Sequence, residues 1–131
     1  MSTRRAARER ALGLAYEGEL RGMSASELLA EQPVEPDEYA TRIVLGADEH
    51  RDEIDALVSK FSEHWSLERM PVVDRALLRL GTYELKWVPD TPTGAIITEA
   101  VELAKQYSTK DSGRFVNGLL ARIAEDVRPG E

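Results

Sequence analysis

The sequence predicts an all-α fold, a bundle of about six or seven helices, and three observations lead to this prediction. No segment alternates apolar and polar residues over a convincing length, and β-branched residues are scattered, so strands are not indicated. Apolar residues recur instead at helical spacing along most of the chain. Prolines, glycines and turn-forming residues separate these helical segments. With 131 residues, 42% of them hydrophobic, the chain is long enough for one domain with a substantial core.

The stretch from Pro71 to Val88 is predicted to be the central helix. Pro71 suits the opening of a helix, where its missing N–H costs nothing, and Asp74 suits the positive end of the helix dipole. Two overlapping apolar series give a stripe wider than a surface helix needs, and Glu84 falls within it. Their members are Val72, Val73, Ala76, Leu77, Leu80, Tyr83 and Trp87.

Before the central helix, a first helix is predicted from about Thr3 to Leu20, ending at Gly22. A short second helix starts at Ser24, which has capping-box spacing to Glu27. A longer helical region begins at Asp37. Gly46 and the charged stretch 48–55 indicate a bend or a joint between two helices there.

After the central helix, another strongly apolar helix runs through Ile96 to Tyr107. The linker 108–113 is rich in turn residues, and Asp111 or Ser112 is suited to cap the helix that follows. That last helix carries Phe115 and an apolar stripe, and the Pro-Gly pair at 129–130 ends it.

Charge is distributed unevenly along a chain whose formal net charge is -7. Residues 1–10 hold four arginines against Glu9 alone, whereas the acidic excess lies at 27–38, at 48–55 and near the C-terminus. Such a distribution excludes a surface coated with nucleic acid but favours one local anion-binding patch. There is no cysteine, no apolar run of membrane-spanning length and no secretory signal, which is consistent with a cytoplasmic protein.

Signatures of catalysis are lacking. The sequence has no phosphate-binding glycine loop and no nucleophile elbow. His50 and His64 are far apart in charged surroundings, and we interpret both as exposed surface histidines without metal. We therefore expect a protein that is not an enzyme and has no cofactor.

The first binding signal is the arginine-rich start of the chain. On a helical wheel Arg5, Arg8 and Tyr16 fall within about a third of the circumference, and Arg4 flanks them. Guanidinium groups bind phosphates and an aromatic ring stacks on unpaired bases, so this face suits single-stranded nucleic acid. The alternative is a basic helix start without a ligand, in which Arg5 pairs with Glu9.

The second signal is the corner from Ser108 to Asn117. It places polar, charged and aromatic groups at one junction of two helices, among them Asp111, Phe115 and Asn117. The alternative interpretation is that Asp111 is a plain N-cap and Phe115 a plain core residue.

Three segments together resemble the NusB family of bacterial transcription antitermination factors. RRAARERALGLAYEGE is similar to the family's arginine-rich first helix, and DRALLRLGTYEL is similar to its middle helix. ITEAVELAKQYSTKDSGRFVNGLL is similar to its C-terminal signature over more than twenty positions. The resemblance covers nearly the whole chain, in the family's order.

The resemblance implies a NusB-like fold of two packed helical subdomains, at about 1–64 and 65–128. It implies binding of boxA RNA in ribosomal RNA transcripts as a heterodimer with NusE, the ribosomal protein S10. Other Nus factors and RNA polymerase are implied as indirect partners, with no membrane, no metal and no cofactor. The function implied is suppression of premature termination and support of rRNA synthesis.

Residue by residue, the resemblance assigns RNA contacts to the first helix and to the C-terminal corner. These positions are Arg4, Arg5, Arg8, Tyr16, Asp111, Phe115 and Asn117. Contacts with S10 are assigned to Glu68 and Asp74. Ala6 stands where the family often has a further arginine, and Arg10 lies on another face of the helix.

Two other functions are compatible with the residues. One is a related helical domain that precedes rRNA methyltransferase modules, although no glycine-rich cofactor loop is present. The other is a protein-interaction module without RNA binding. A homodimer that hides the RNA face is a further arrangement, which light scattering would detect.

Overall fold

The computed structural model describes residues 3–63 and 65–130, and in this part of the chain all regular structure is helical. Seven α-helices and one short 3₁₀ turn follow one another. They are α1 (Arg4–Arg21), α2 (Ala25–Ala30), α3 (Glu38–Glu49), α4 (Arg51–Phe61), the 3₁₀ turn Leu67–Arg69, α5 (Val72–Trp87), α6 (Thr93–Tyr107) and α7 (Ser112–Val127). The predicted all-α class and helix number are confirmed. None of these helices is long and apolar enough to cross a membrane, as far as the described residues show.

Helix α5 is the centre of the bundle, as predicted. It packs against α1, α3, α4, α6 and α7, and ten of its sixteen residues are buried. The wide apolar stripe in the sequence reflects this, because a helix surrounded by five others must bury more than one face. The division into two subdomains near residue 64 stays a prediction.

Local signals at the helix ends behave as the sequence predicts. Thr3 caps α1 by accepting the Ala6 N–H at 3.0 Å, and Gly22 ends it with φ 65°. Ser24 and Glu27 form the predicted capping box of α2. Asp37 caps α3 by accepting the Tyr39 N–H at 2.8 Å. These local bonds satisfy N–H groups that have no partner inside the helix.

The joint between α3 and α4 lies at His50, within the predicted stretch, but Gly46 is not its cause. Gly46 lies inside α3, where a Cβ atom would approach the Tyr83 ring to 2.2 Å. The glycine is needed for the close approach of α3 to α5 rather than for a bend.

Arg128 closes the C-terminal end of α5, a role that the sequence did not indicate. Its guanidinium donates hydrogen bonds to the carbonyl oxygens of Leu85 at 2.7 Å and Val88 at 2.8 Å. A cation at this end of a helix satisfies orphan carbonyls and complements the helix dipole. Arg128 is buried, so this contact anchors the chain beyond α7 to the central helix.

Candidate nucleic-acid interface

The three predicted arginines of α1 do not share one environment. Arg4 and Arg5 are exposed, whereas Arg8 is only 7% exposed and points into the bundle. The structure therefore does not place the Arg8 side chain on the exposed face of α1 that carries Arg5. The helical wheel placed Arg8 near Arg5, but a wheel does not tell which part of that face another helix covers.

Arg8 belongs to a buried polar cluster with Glu84 and Tyr39. Its Nη2 lies 2.9 Å from Glu84 Oε1 and its Nε 3.0 Å from Oε2, and the Tyr39 hydroxyl donates to the same carboxylate. Burial opposes the charge of Arg8, but the hydrogen bonds and charge of Glu84 outweigh it and raise the pKa of Arg8. Burial and the bond to Glu84 also raise the pKa of Tyr39. The cluster joins α1, α3 and α5.

The two exposed arginines are each held by another helix. The Arg4 guanidinium lies 3.9 Å from the centre of the Tyr39 ring on α3, a cation–π contact. The Arg5 guanidinium donates to Glu99 on α6, with Nε 3.0 Å from Oε2 and Nη2 3.2 Å from Oε1. The predicted alternative partner of Arg5 was Glu9, but Glu9 accepts the Tyr107 hydroxyl instead.

Tyr16 lies on the same side of α1 as Arg5 and is 40% exposed. Tyr16 follows Arg5 by eleven positions, which is about 16 Å along the helix axis and within about 20° around it. Buried Leu12 lies between them, so the exposed face is interrupted. Arg5 and Tyr16 are thus two separate exposed groups on one side of α1.

The corner between α6 and α7 presents its predicted residues on different sides of α7. Asp111 and Asn117 are exposed and line a cleft of about 340 Å³, together with Lys105, Lys110 and Arg114. Phe115 is half-buried and packs against the exposed Trp65, with the two ring centroids 6.0 Å apart. Asp111 is at the N-cap position but makes no capping bond with its side chain.

Asp74 connects this corner to the central helix. Its carboxylate accepts hydrogen bonds from the Ser108 hydroxyl and, at 2.8 Å, from the Ser112 hydroxyl. Asp74 is 2% exposed, so in this structure it does not present its charge to a partner. Glu68 lies in the 3₁₀ turn and is exposed. Of the two predicted partner contacts, only Glu68 is on the surface.

Arg75 and Arg79 of α5 form an ion-pair network around Glu19. Arg75 Nη2 lies 2.7 Å from Glu19 Oε1. Arg79 donates two hydrogen bonds to the Asp55 carboxylate, from Nε at 2.8 Å and from Nη2 at 3.1 Å. Burial opposes ionisation of Glu19, but the hydrogen bond from Arg51 and the three arginine charges outweigh it and lower the pKa of Glu19. Arg79 is thereby paired with carboxylates of both α1 and α4.

His50 is not the exposed histidine that the sequence suggested. It is half-buried, and its imidazole stacks on the Trp87 ring with the two ring centroids 4.2 Å apart. His64 lies outside the described residues. Within the described ranges, 3–63 and 65–130, no group of three or more His, Asp or Glu side chains is placed to hold a metal ion.

Comparison with known proteins decides the family. A sequence model of the NusB family matches residues 5–125. The transcription antitermination protein NusB of Kineococcus radiotolerans is 46% identical over 129 residues, which cover 95% of each chain. The protein of the same name from Saccharopolyspora erythraea is 49% identical over 130 residues, covering 95% of this chain and 88% of that one.

The chain belongs to the NusB family of transcription antitermination proteins. The fold agrees, since a T. maritima NusB structure superposes with a TM-score of 0.88 at 39% identity, covering 98% of this chain and 94% of the other. A crystal structure of the antitermination factors NusB and NusE in complex with double-stranded RNA gives a TM-score of 0.81 at 34% identity, covering 94% and 96%. The resemblance to the NusB family and the expectation of a non-enzymatic function are confirmed.

Proposed function

We propose that this NusB family protein binds boxA RNA of ribosomal RNA transcripts as a single strand, together with ribosomal protein S10 (NusE). Binding takes place in the cytoplasm, and other Nus factors and RNA polymerase join indirectly. The observation that carries the proposal is the pair of exposed guanidinium groups, Arg4 and Arg5, at the start of α1 of an otherwise acidic chain. A local cation pair on an acidic body attracts a polyanion to one place.

Phosphate and base contacts have different sources in this proposal. Arg4 uses the face of its guanidinium on Tyr39, which leaves N–H edges for phosphate, and Arg5 is 68% exposed along its side chain. Such contacts give attraction without sequence information. Unstacked bases reach Tyr16 and the corner formed by Asp111, Phe115 and Asn117, where stacking and polar contacts select among them.

Arg8 and Asp74 support this surface from the interior. Arg8 holds α1 against α5 through Glu84, and Asp74 holds the α6–α7 corner through Ser112. The surface contact with S10 is assigned to Glu68, since an exposed acidic residue on a chain of net charge -7 complements a basic ribosomal protein.

The experiment measures binding of a fluorescent single-stranded boxA RNA by anisotropy, with and without S10. Arg5→Ala is expected to weaken binding severalfold. Arg10→Ala is the matched control, because Arg10 is an exposed arginine of the same helix that hydrogen-bonds Gln32 at 2.8 Å on another face. A double-stranded boxA RNA is compared in parallel, and we expect it to bind less tightly.

Salt dependence gives a second test. If about four phosphates are neutralised, by Arg4, Arg5 and cations of the corner, log affinity falls against log salt with a slope of about -3. An affinity independent of salt, or equal losses from Arg5→Ala and Arg10→Ala, would contradict the proposed surface. No binding even with S10 would favour a protein-interaction module.

A further inference from the structure

The ion pair between Arg5 and Glu99 uses one particular edge of the guanidinium. Its donors are Nε and Nη2, at 3.0 and 3.2 Å from the two carboxylate oxygens. This is the side edge of the planar group. The end edge presents one N–H of Nη1 and the second N–H of Nη2, and Nη1 makes no hydrogen bond to any residue that the structure describes. Arginine binds a phosphate through two parallel N–H groups, and the end edge supplies such a pair.

The two partners differ in exposure. The Glu99 side chain is 19% exposed and belongs to the fifteen-residue helix α6, whereas the Arg5 side chain is 68% exposed. Glu99 is therefore the fixed member and Arg5 the member that reaches into solvent. A second contact between α1 and α6 lies one turn further along α1, where the Tyr107 hydroxyl donates a hydrogen bond to Glu9. This contact also fixes the position of α6 relative to α1.

We propose that Glu99 is a positioning residue for RNA binding, which holds Arg5 by its side edge so that its end edge faces a phosphate. The inference rests on the proposed function and adds a residue to its site. An exposed arginine without support loses rotamer freedom when it binds, and that loss weakens the contact. Arg4 is held by a different contact, the face of its guanidinium on the Tyr39 ring, so both exposed arginines of α1 are oriented before RNA arrives.

The opposing possibility is that Glu99 competes with RNA for Arg5. Its carboxylate brings a negative charge close to the phosphate, and on electrostatic grounds its removal would tighten binding. Glu102 separates the two effects. It lies three residues further along α6 and interacts with Arg5 only through its charge, without a hydrogen bond to it.

The test compares Glu99→Gln with Glu102→Gln in the same RNA-binding assay. Both substitutions remove one negative charge near Arg5, but only the first disrupts the two-point contact. We expect Glu102→Gln to leave affinity unchanged or slightly tighter. Glu99→Gln is expected to weaken binding about threefold to tenfold, the effect of immobilising one rotamer-rich side chain. Because Glu99 is partly exposed and Glu102 is exposed, and Gln keeps the size of Glu, thermal unfolding should show both variants folded.

A double-mutant cycle with Arg5→Ala gives the decisive readout. The loss from Glu99→Gln should disappear when Arg5 is absent. In the free protein, the Arg5 Nε–Hε group should become more mobile by NMR relaxation in Glu99→Gln and not in Glu102→Gln.

Other outcomes overturn the inference. Tighter binding by Glu99→Gln would show competition, and an equal loss in the Arg5→Ala background would show a general effect on the fold. Arg5-dependent RNA binding that Glu99→Gln leaves unchanged would overturn this inference alone. Absence of RNA binding by the unmodified protein would overturn the proposed function and this inference with it.

Discussion

The Arg8 guanidinium lies 2.9 Å from the Glu84 carboxylate, and both side chains are buried, at 8% and 3% exposure. We predict that Arg8→Ala destabilises the fold by about 3–5 kcal/mol, because it leaves a buried carboxylate without its cation. The remaining hydrogen bond from Tyr39 favours the lower end of this range. Urea unfolding followed by circular dichroism measures the loss.

Arg10→Ala is the control for this change, since Arg10 is exposed on the same helix. Its cost should stay below about 1 kcal/mol. Equal stability of the two variants would contradict a structural role for Arg8. RNA binding by folded Arg8→Ala, measured at low temperature, shows whether Arg8 also acts directly on RNA.

Asp74 is predicted to matter for folding more than for surface charge. Asp74→Asn keeps the size of the side chain but places an amide N–H₂ against a serine hydroxyl, so it should cost about 1–3 kcal/mol. Asp74→Lys should prevent stable folding, because it buries an unpaired cation. Thermal unfolding tests both, and a melting temperature of Asp74→Lys equal to that of the unmodified chain would contradict the burial of this residue.

Glu68 provides the clean test of the partner-facing surface. Glu68→Lys reverses an exposed charge in the 3₁₀ turn and should leave the melting temperature within error. Its association with S10 should weaken, mainly through slower association, because rim charges act on the approach of the partners. Surface plasmon resonance with immobilised S10 measures this. Unchanged association kinetics would remove Glu68 from the interface.

Glu19 makes stability depend on acid pH. Its pKa is lowered in the folded state, so its contribution is fully present above its ordinary value of 4.5 and is lost as the pH falls through the folded pKa. At pH 7, Glu19→Gln should cost about 1–3 kcal/mol, because hydrogen bonds to charged groups are lost. The difference from the unmodified chain should shrink in unfolding experiments below pH 4.

The matched control is Glu17→Gln, which removes an exposed pair with Arg21 on the same helix. We expect less than about 1 kcal/mol from it at neutral pH. A constant difference between Glu19→Gln and the unmodified chain from pH 7 to pH 3 would argue against the ion-pair network as its cause.

Gly46 and Gly13 form a pair of opposite predictions. A Cβ atom at Gly46 would approach Tyr83 to 2.2 Å, so Gly46→Ala should destabilise by about 1–3 kcal/mol through overpacking. At Gly13, in α1, a Cβ meets nothing within 4 Å. Gly13→Ala should therefore stabilise by about 0.5–1 kcal/mol through helix propensity. Thermal unfolding of both variants checks the signs, and a stabilised Gly46→Ala would contradict the close packing of α3 on α5.

Much of the fold and part of the site follow from local patterns in the sequence. Helix α5, the capping box at Ser24 and the end of α1 at Gly22 all depend on residues within a few positions of one another. Local backbone chemistry determines such features, so a sequence contains the information directly. The family's order of segments could be recognised in the same way.

The partner and the burial of each charged side chain could not be predicted from such local patterns. Arg5 and Arg8 share one helical face, yet Arg5 reaches the partly buried Glu99 at the surface and Arg8 reaches Glu84 in the core. One signal was available, since Glu84 lies within the apolar stripe of the central helix and a charge there requires a buried partner. Which residue supplies that partner depends on a contact over 76 positions of sequence.

By itself, then, the sequence determined the helical class, the central helix, most helix ends and the family, because periodicity, capping and segment order are local properties. Only the tertiary structure decided that Asp74 and Arg8 work inside the protein, while Arg4, Arg5 and Glu68 remain on its surface. The physical reason is that burial and ion pairing arise where helices distant in sequence meet. The cost of burying a charge is then met by whichever opposite charge the packing brings within reach.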